Sequence, residues 1–570
     1  MTQPNRPYAP HDSIQPSTDS LHPQQVPPLQ SPGTPHSRNP WVVNTSSGPI
    51  KGHKENGVVA FRGIPYAEPP IGPLRFKRAR PIAPWTKVYH ADRSGPFCAQ
   101  YRPAPKKTGG RRFGSEDCLW LNVVVPDANA EAGEVFNREA HRPIVVWIHG
   151  GSNVHGSAAQ PMFSGEYFAS SMDCVFVAVN YRIGILGQLA VGEGTYGPDN
   201  VETNPGHSDL IAAIQWIHSN AAAFGADPDR LTIMGESSGG SMVNALLATP
   251  SLRGIVRGAI SQSPAGNMVH SRQHAKEWTD RAARWFYRLE REQRLPVKER
   301  TRVRVDPPEL SPAKLRESTQ AMLTADAAIL GQLSDELVRY QAANPHSIPG
   351  PFAPLIDNDL LPRHPLAPGA TLDIPLLTGT NLNEYDMMRL EPNPRRVQRQ
   401  RANNFARVHG ERGMEILEKH YASASSRLMT GRFFGDSIFT APTWQLARNH
   451  APGKAWLYRL DTTTPFLRRA GIGSMHALDL PILFRRYRED KGRVALLMGG
   501  RDDLHATSVA MHDRWRAFIH DGDPGFAPYS TGFSTLIFDA TLPRAEQLQT
   551  DPQSELRQAW ERVDLSELLG

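Results

Sequence analysis

Hydrophobic and polar positions change their spacing several times along these 570 residues. Residues 1–40 are Pro, Gln, Ser and His with almost nothing to bury. Such a segment cannot offset its ordering entropy, so it is expected to be a disordered, Pro-rich tail, with a docking peptide as the alternative. Order is predicted from Trp41. Three unbroken apolar runs then stand out: Ile144-Val145-Val146-Trp147-Ile148, Val175-Phe176-Val177-Ala178-Val179 and Leu231-Thr232-Ile233-Met234. Each ends in a loop containing Gly or Asn, the pattern of strands buried on both faces. Between them, residues 209–224 place Leu210, Ile211, Ile214, Trp216 and Ile217 at helical spacing. Strands alternating with helices predict a parallel α/β sheet, whose ligands sit outside the carboxyl ends of the strands.

Residues 278–341 are charged and helical, with a break at Val305-Asp306-Pro307-Pro308. They are read as a lid of helices over the sheet. Short strands return at 455–460 and 535–538, with a helix at 510–519. No internal repeat is present. A length prior of roughly 150 residues per domain would give about four domains. The order of motifs instead favours one domain over 41–570.

Composition narrows the function classes. There are 63 Lys and Arg against 57 Asp and Glu, a net charge of +6. The cations are scattered and form no basic stripe with interleaved aromatics, so a nucleic-acid partner is not expected. No apolar run is long enough for a transmembrane helix, and the N-terminus has no apolar h-region. A cytoplasmic location is therefore expected. The three cysteines, Cys98, Cys118 and Cys174, form no CxxC or Cys/His cluster. No metal site and no organic cofactor is implied.

The sharpest chemical signal is Gly235-Glu236-Ser237-Ser238-Gly239, with an apolar strand before it and a small-residue helix after it. This is the context of a nucleophile elbow, which needs small residues two places either side of the serine. Gly235 and Gly239 satisfy that for Ser237, whereas Ser238 has Glu236 at one such place. The strand 144–148 ends in His149-Gly150-Gly151-Ser152-Asn153. A Gly-rich turn there can aim N–H groups at a developing negative charge, so Gly151, Ser152 and Ser238 are the candidate oxyanion-hole donors.

Further blocks carry a family resemblance over nearly the whole chain after the tail. Gly63-Ile64-Pro65-Tyr66-Ala67-Glu68-Pro69-Pro70 and Glu116-Asp117-Cys118-Leu119-Trp120-Leu121-Asn122-Val123 resemble the two signatures of the type-B carboxylesterases. Asn180-Tyr181-Arg182-Ile183-Gly184, Phe224-Gly225-Ala226-Asp227-Pro228 and Gly522-Asp523-Pro524 are similar to later blocks. This is the family of cholinesterases and bacterial para-nitrobenzyl esterases. The resemblance implies an α/β-hydrolase fold: a large, mostly parallel sheet flanked by helices. It also implies a serine carboxylesterase acting on a small-molecule ester through an acyl-enzyme.

By the same resemblance Glu384, in Gly379-Thr380-Asn381-Leu382-Asn383-Glu384, takes the place of the triad acid. His476, in Gly473-Ser474-Met475-His476, takes that of the base. The order serine, acid, histidine is the one this fold uses. Glu236, Ser263 and Asp479 match positions that support the histidine from behind. Cys98 and Cys118 match the family's first disulfide, a pair expected to be reduced in a cytoplasmic protein. Cys174 is expected to be an inert core residue.

Departures from the family pattern carry their own expectations. Ser152 stands where the oxyanion loop usually has its third glycine, and Asn153 where an aromatic usually follows. A polar pocket mouth and a polar acyl group are expected from this. The loop at 101–113 has no tryptophan and several cations, so cholinesterase activity is not expected. The basic loop is read as solvated, with attraction of an anionic substrate as the alternative. The triad alone leaves acyl transfer open beside hydrolysis. A non-catalytic binding protein of neuroligin type would lack the nucleophile, which is present here.

Overall fold

The computed structural model describes residues 41–570 apart from 104–109, 127–139, 267, 294–306, 308, 344–349, 391–394 and 567–570. The expectation of a disordered tail at 1–40 lies outside the described residues, as does most of the break at 305–308.

The main sheet has eleven strands. In chain order they are β1 (His53–Glu55), β2 (Val58–Pro65), β3 (Trp120–Pro126), β4 (Arg142–Ile148), β5 (Val175–Val179), β6 (Ala226–Glu236), β7 (Gly258–Gln262), β8 (Leu376–Asn381), β9 (Ala455–Leu460), β10 (Ser534–Phe538) and β11 (Glu546–Thr550). In space they run β11-β10-β9-β8-β7-β6-β4-β5-β3-β2-β1. The seven strands from β10 to β5 pair in parallel, while β11 on one edge and β3, β2 and β1 on the other pair antiparallel.

Both faces of the central strands are covered, which is why their sequences are continuously apolar. Alternation persists, but between two cores rather than between core and solvent. Ile144, Val146 and Ile148 of β4 enter one cluster with Val175, Val177 and Val179 of β5. Val145, Trp147, Phe176 and Ala178 enter the other. On the first side lie α1 (Pro205–Asn220) and α2 (Ser238–Leu247), through Leu210, Ile214, Met242 and Leu246. The helix Arg501–Asp521 covers the second side with Met511, Trp515 and Phe518.

The charged segment forms the helices α3 (Arg272–Gln293), α4 (Pro312–Thr324) and α5 (Ala327–Ala343). Three further helices, which the periodicity did not single out, follow β8: α6 (Arg395–Val408), α7 (Gly410–Tyr421) and α8 (Ser426–Gly435). A π-helical turn at Asp436–Thr440 continues from α8. Of the basic loop at 101–113, residues 104–109 lie outside the described residues. Its ends pair as a short hairpin, and Arg112 donates to Gln332 of α5.

Candidate active site

Ser237 sits where β6 turns into α2, with φ 58° and ψ −128°. A non-glycine residue with such a dihedral pair costs free energy and persists only where its surroundings over-determine it. Here they do. The Ser237 N–H donates to the Gln262 carbonyl at 3.0 Å, and the Ser237 carbonyl accepts from Ser241 N–H at 2.9 Å. A side chain at Gly235 would meet the Gly239 backbone, and one at Gly239 would collide with the Ile148 carbonyl oxygen. The two glycines therefore allow β4, the elbow and α2 to close on one another.

Glu384 and His476 come from loops after β8 and β9 and meet Ser237 at the carboxyl edge of the sheet. His476 Nε2 lies 2.9 Å from Ser237 Oγ, and His476 Nδ1 lies 2.6 Å from Glu384 Oε2. The other Glu384 oxygen accepts from Ser263 Oγ at 2.6 Å and from Asn381 N–H at 2.7 Å. Glu384 is buried, and these donors hold its carboxylate in one orientation. Its own carbonyl accepts from the His476 N–H, tying the two loops together. The structure thus brings together all three residues that the sequence nominates.

The supporting residues divide. Ser263 bonds Glu384 directly, and Glu236 Oε1 lies 3.4 Å from His476 Nε2. Asp479 makes its hydrogen bond one step further away. Its carboxylate accepts from Gln262 Nε2 at 2.5 Å, and Gln262 in turn supplies the carbonyl that receives the Ser237 N–H. Burial, with the Glu384 charge adding to it, pushes the Asp479 carboxyl up to about 6.

In the oxyanion loop Gly151 has φ 120°, Ser152 56° and Asn153 54°. Among the described residues none accepts a hydrogen bond from the N–H of Gly151, Ser152 or Ser238. Ser152 and Ser237 both face a pocket that encloses about 840 Å³ of empty space, its open mouth included. Its walls are Met268, Val338 and Phe352, with the aromatics Tyr385, Phe405, Phe434 and Phe439. Phe439 and Tyr385 lie with ring centroids 4.7 and 6.0 Å from the His476 imidazole.

The expectation of a polar mouth at Asn153 fails. The residue is 1% exposed, and its amide donates inward to the Phe352 carbonyl at 3.2 Å. Most of the aromatic wall went unread in the sequence, because Phe405 and Phe434 sit in helices whose spacing looks like ordinary core. Tyr385 alone carried a signal, being next to Glu384.

Cys98 and Cys118 are buried free thiols. Cys174 is also buried and free, and burial raises its thiol. Among the described residues no cluster of three His, Cys, Asp or Glu could hold a metal ion, and no helix is long and apolar enough to cross a membrane.

The chain is similar to known proteins over most of its length. A family model described as "Carboxylesterase family" matches residues 39–562. A para-nitrobenzyl esterase of Bacillus subtilis is 29% identical over 544 residues, covering 91% of this chain and 98% of that protein. A phenmedipham hydrolase of Pseudarthrobacter oxydans is 29% identical over 498 residues, covering 85% and 90%. Among solved structures, a Geobacillus stearothermophilus carboxylesterase at pH 6.8 superposes with a TM-score of 0.70 at 28% identity, covering 91% of this chain and 99% of that one.

Proposed function

The chain belongs to the carboxylesterase family and is a serine carboxylic ester hydrolase, and from that premise we propose that Ser237, His476 and Glu384 carry its chemistry. The observation that supports this most is the continuous hydrogen-bonded line from Ser237 Oγ through the imidazole to Glu384. A serine hydroxyl is a weak nucleophile until a base takes its proton. His476 Nε2 accepts that proton as Ser237 Oγ bonds to the ester carbon. The N–H groups of Gly151, Ser152 and Ser238 receive the carbonyl oxygen as it gains charge. Collapse expels the alkoxide, which leaves with the proton from His476. Water then repeats the sequence on the acyl-serine, freeing the acid and restoring the hydroxyl. Glu384 fixes the imidazole tautomer throughout and stabilises the imidazolium without taking the proton itself.

The apolar wall suits an ester with an aryl or medium-length alkyl group, in place of the polar acyl group expected from Asn153. Val338 and Gln341 of α5 line this pocket, which supports reading 278–341 as a lid that shapes specificity. A cytoplasmic location is part of the same proposal and keeps Cys98 and Cys118 reduced. Lysis into acid followed by alkylation in denaturant, read by mass spectrometry, checks that directly.

The test is turnover of short- and medium-chain para-nitrophenyl esters by wild type beside Ser237→Ala. Release of nitrophenol is expected from the wild type, with loss to the residual level of binding and oxyanion stabilisation in the variant. A fluorophosphonate should label Ser237. Undiminished turnover by Ser237→Ala would assign the nucleophile elsewhere.

A further inference from the structure

We propose that Asn153 is a positioning residue: it sets the oxyanion loop and locks it to the pocket wall at Phe352. This rests on the ester hydrolysis proposed above and adds a residue to it. Three consecutive residues of the loop, Gly151, Ser152 and Asn153, have positive φ. Only the first is a glycine. A left-handed conformation is unfavourable for an L-residue, least so for Asn, so two in a row need specific restraint.

Asn153 supplies it from every polar atom. Its N–H donates to Ser238 Oγ at 3.1 Å. Its carbonyl accepts from Gly184 N–H at 2.5 Å. Its Nδ2 donates to the Phe352 carbonyl at 3.2 Å. Its Oδ1 lies 3.5 Å from Tyr181 Oη, a hydroxyl that donates to the His149 carbonyl at 2.9 Å. The residue is nearly completely buried, so none of these partners is readily replaced by water.

Two consequences follow from the pattern. The first bond ties the loop bearing the Gly151 and Ser152 N–H groups to the residue bearing the third donor, Ser238. That bond is made by the backbone N–H, and the carboxamide, anchored at Phe352, holds the backbone where the N–H meets Ser238, so the spacing of the donors around the substrate oxygen depends on the side chain. The third bond runs to Phe352, a wall residue of the pocket. A change in that wall is thereby transmitted to the donors. A phenylalanine at this place could fill the space but could offer the Phe352 carbonyl no hydrogen bond. The carboxamide acts as a strut between the part of the site that holds the oxyanion and the part that holds the apolar group.

The experiment uses the full chain with Asn153→Gly and Asn153→Asp. Glycine keeps the left-handed backbone and removes the strut. Aspartate keeps the shape but presents an oxygen where Nδ2 donates. Active sites are titrated with a fluorophosphonate so that rates are per competent site, and thermal unfolding is followed alongside. The oxyanion hole is probed with an alkyl trifluoromethyl ketone. Ser237 Oγ adds to its carbonyl carbon, the serine proton passes to His476, and the ketone oxygen becomes the oxyanion.

For Asn153→Gly, kcat and ketone affinity should fall together by about 10- to 100-fold, short of the roughly 10²- to 10³-fold lost with a whole donor. KM should stay within about twofold, the signature of an interaction made in the transition state. The acetyl-to-hexanoyl preference should shift as the wall is released. A purely structural role would lower the melting temperature and the titratable fraction but leave kcat per site and ketone affinity in place, and that result would overturn the proposal. Should the glycine variant fail to fold, Asn153→Asp carries the same expectation. An active wild type with unaffected variants would overturn this inference alone. A wild type that neither hydrolysed esters nor bound the ketone would overturn the esterase reading with it.

Discussion

At the scale of single residues, chemistry here is a matter of orientation. Glu384 reaches His476 with one oxygen while Ser263 and Asn381 hold the other. Glu384→Gln preserves the shape but presents an amide that favours the wrong imidazole tautomer. By comparison with the same change in a serine protease, kcat should fall by roughly 10⁴-fold with little change in KM. Steady-state kinetics on a para-nitrophenyl ester measures it.

Asp479 makes the opposite case, a carboxylate whose effect is on stability. Its folded-state pKa stands near 6 against an ordinary 3.8, chiefly through burial. A carboxyl raised in the folded state contributes stability fully below the unfolded value and loses it as pH rises through the folded one. The contribution therefore disappears between about pH 4 and pH 6, a loss of at most roughly 3 kcal/mol. Asp479→Asn should melt higher than wild type at pH 7.5 and no higher at pH 4, as calorimetry would show. Ser237 was legible in its own short string, whereas Glu384 and His476 were nominated only through the family resemblance of theirs. Asn153 was misread because a string does not say which way a side chain turns. Positive φ at Ser152 and Asn153 accompanies an amide turned inward, away from the mouth.

At the scale of elements, the elbow depends on three pieces of backbone meeting without side chains between them. Gly239→Ala places a methyl group against the Ile148 carbonyl oxygen. The change should abolish activity and destabilise by at least the 1–3 kcal/mol typical of overpacking, visible in denaturant unfolding. Trp147 tests the opposite face of the sheet. It is fully buried, with Phe163 and Phe484 each 5.0 Å from its ring. Trp147→Ala should cost about 3–5 kcal/mol. The parallel strands were legible because burial on both faces leaves unbroken apolar runs. The helices α6 to α8 escaped because their polar faces are strongly charged and their few buried aromatics mimic core spacing. Nothing local says that Phe405 and Phe434 will meet Tyr385, yet ring centroids 4.4 and 4.6 Å apart join the three.

At the scale of the whole molecule, the sheet and the helical layers over its carboxyl edge do different work. Ser237, Glu384 and His476 all follow central parallel strands, whereas most of the aromatic wall comes from helices after β8. Phe405→Ala enlarges the pocket without touching the triad. It should shift preference toward longer acyl chains, with kcat on acetyl esters held within about threefold, since only uniform binding is altered. Competition between acetyl and octanoyl esters is the measurement.

The placement of the three reacting side chains beyond the carboxyl ends of central strands bears on how such a protein can change. Ser237 follows its strand directly and Glu384 three residues on, while His476 stands on a longer loop tied back through its N–H to the Glu384 carbonyl, and none of the hydrogen bonds along the line comes from α6, α7 or α8 of the helical cover. Whole stretches of that cover can be exchanged, lengthened or recombined while the reacting edge stays intact. Lineages built on this plan can therefore diverge in diet faster than in chemistry. For the engineer, the helices at 395–435 are a cassette to be swapped, and the strand ends with the turn that carries Phe439 are the socket that receives it.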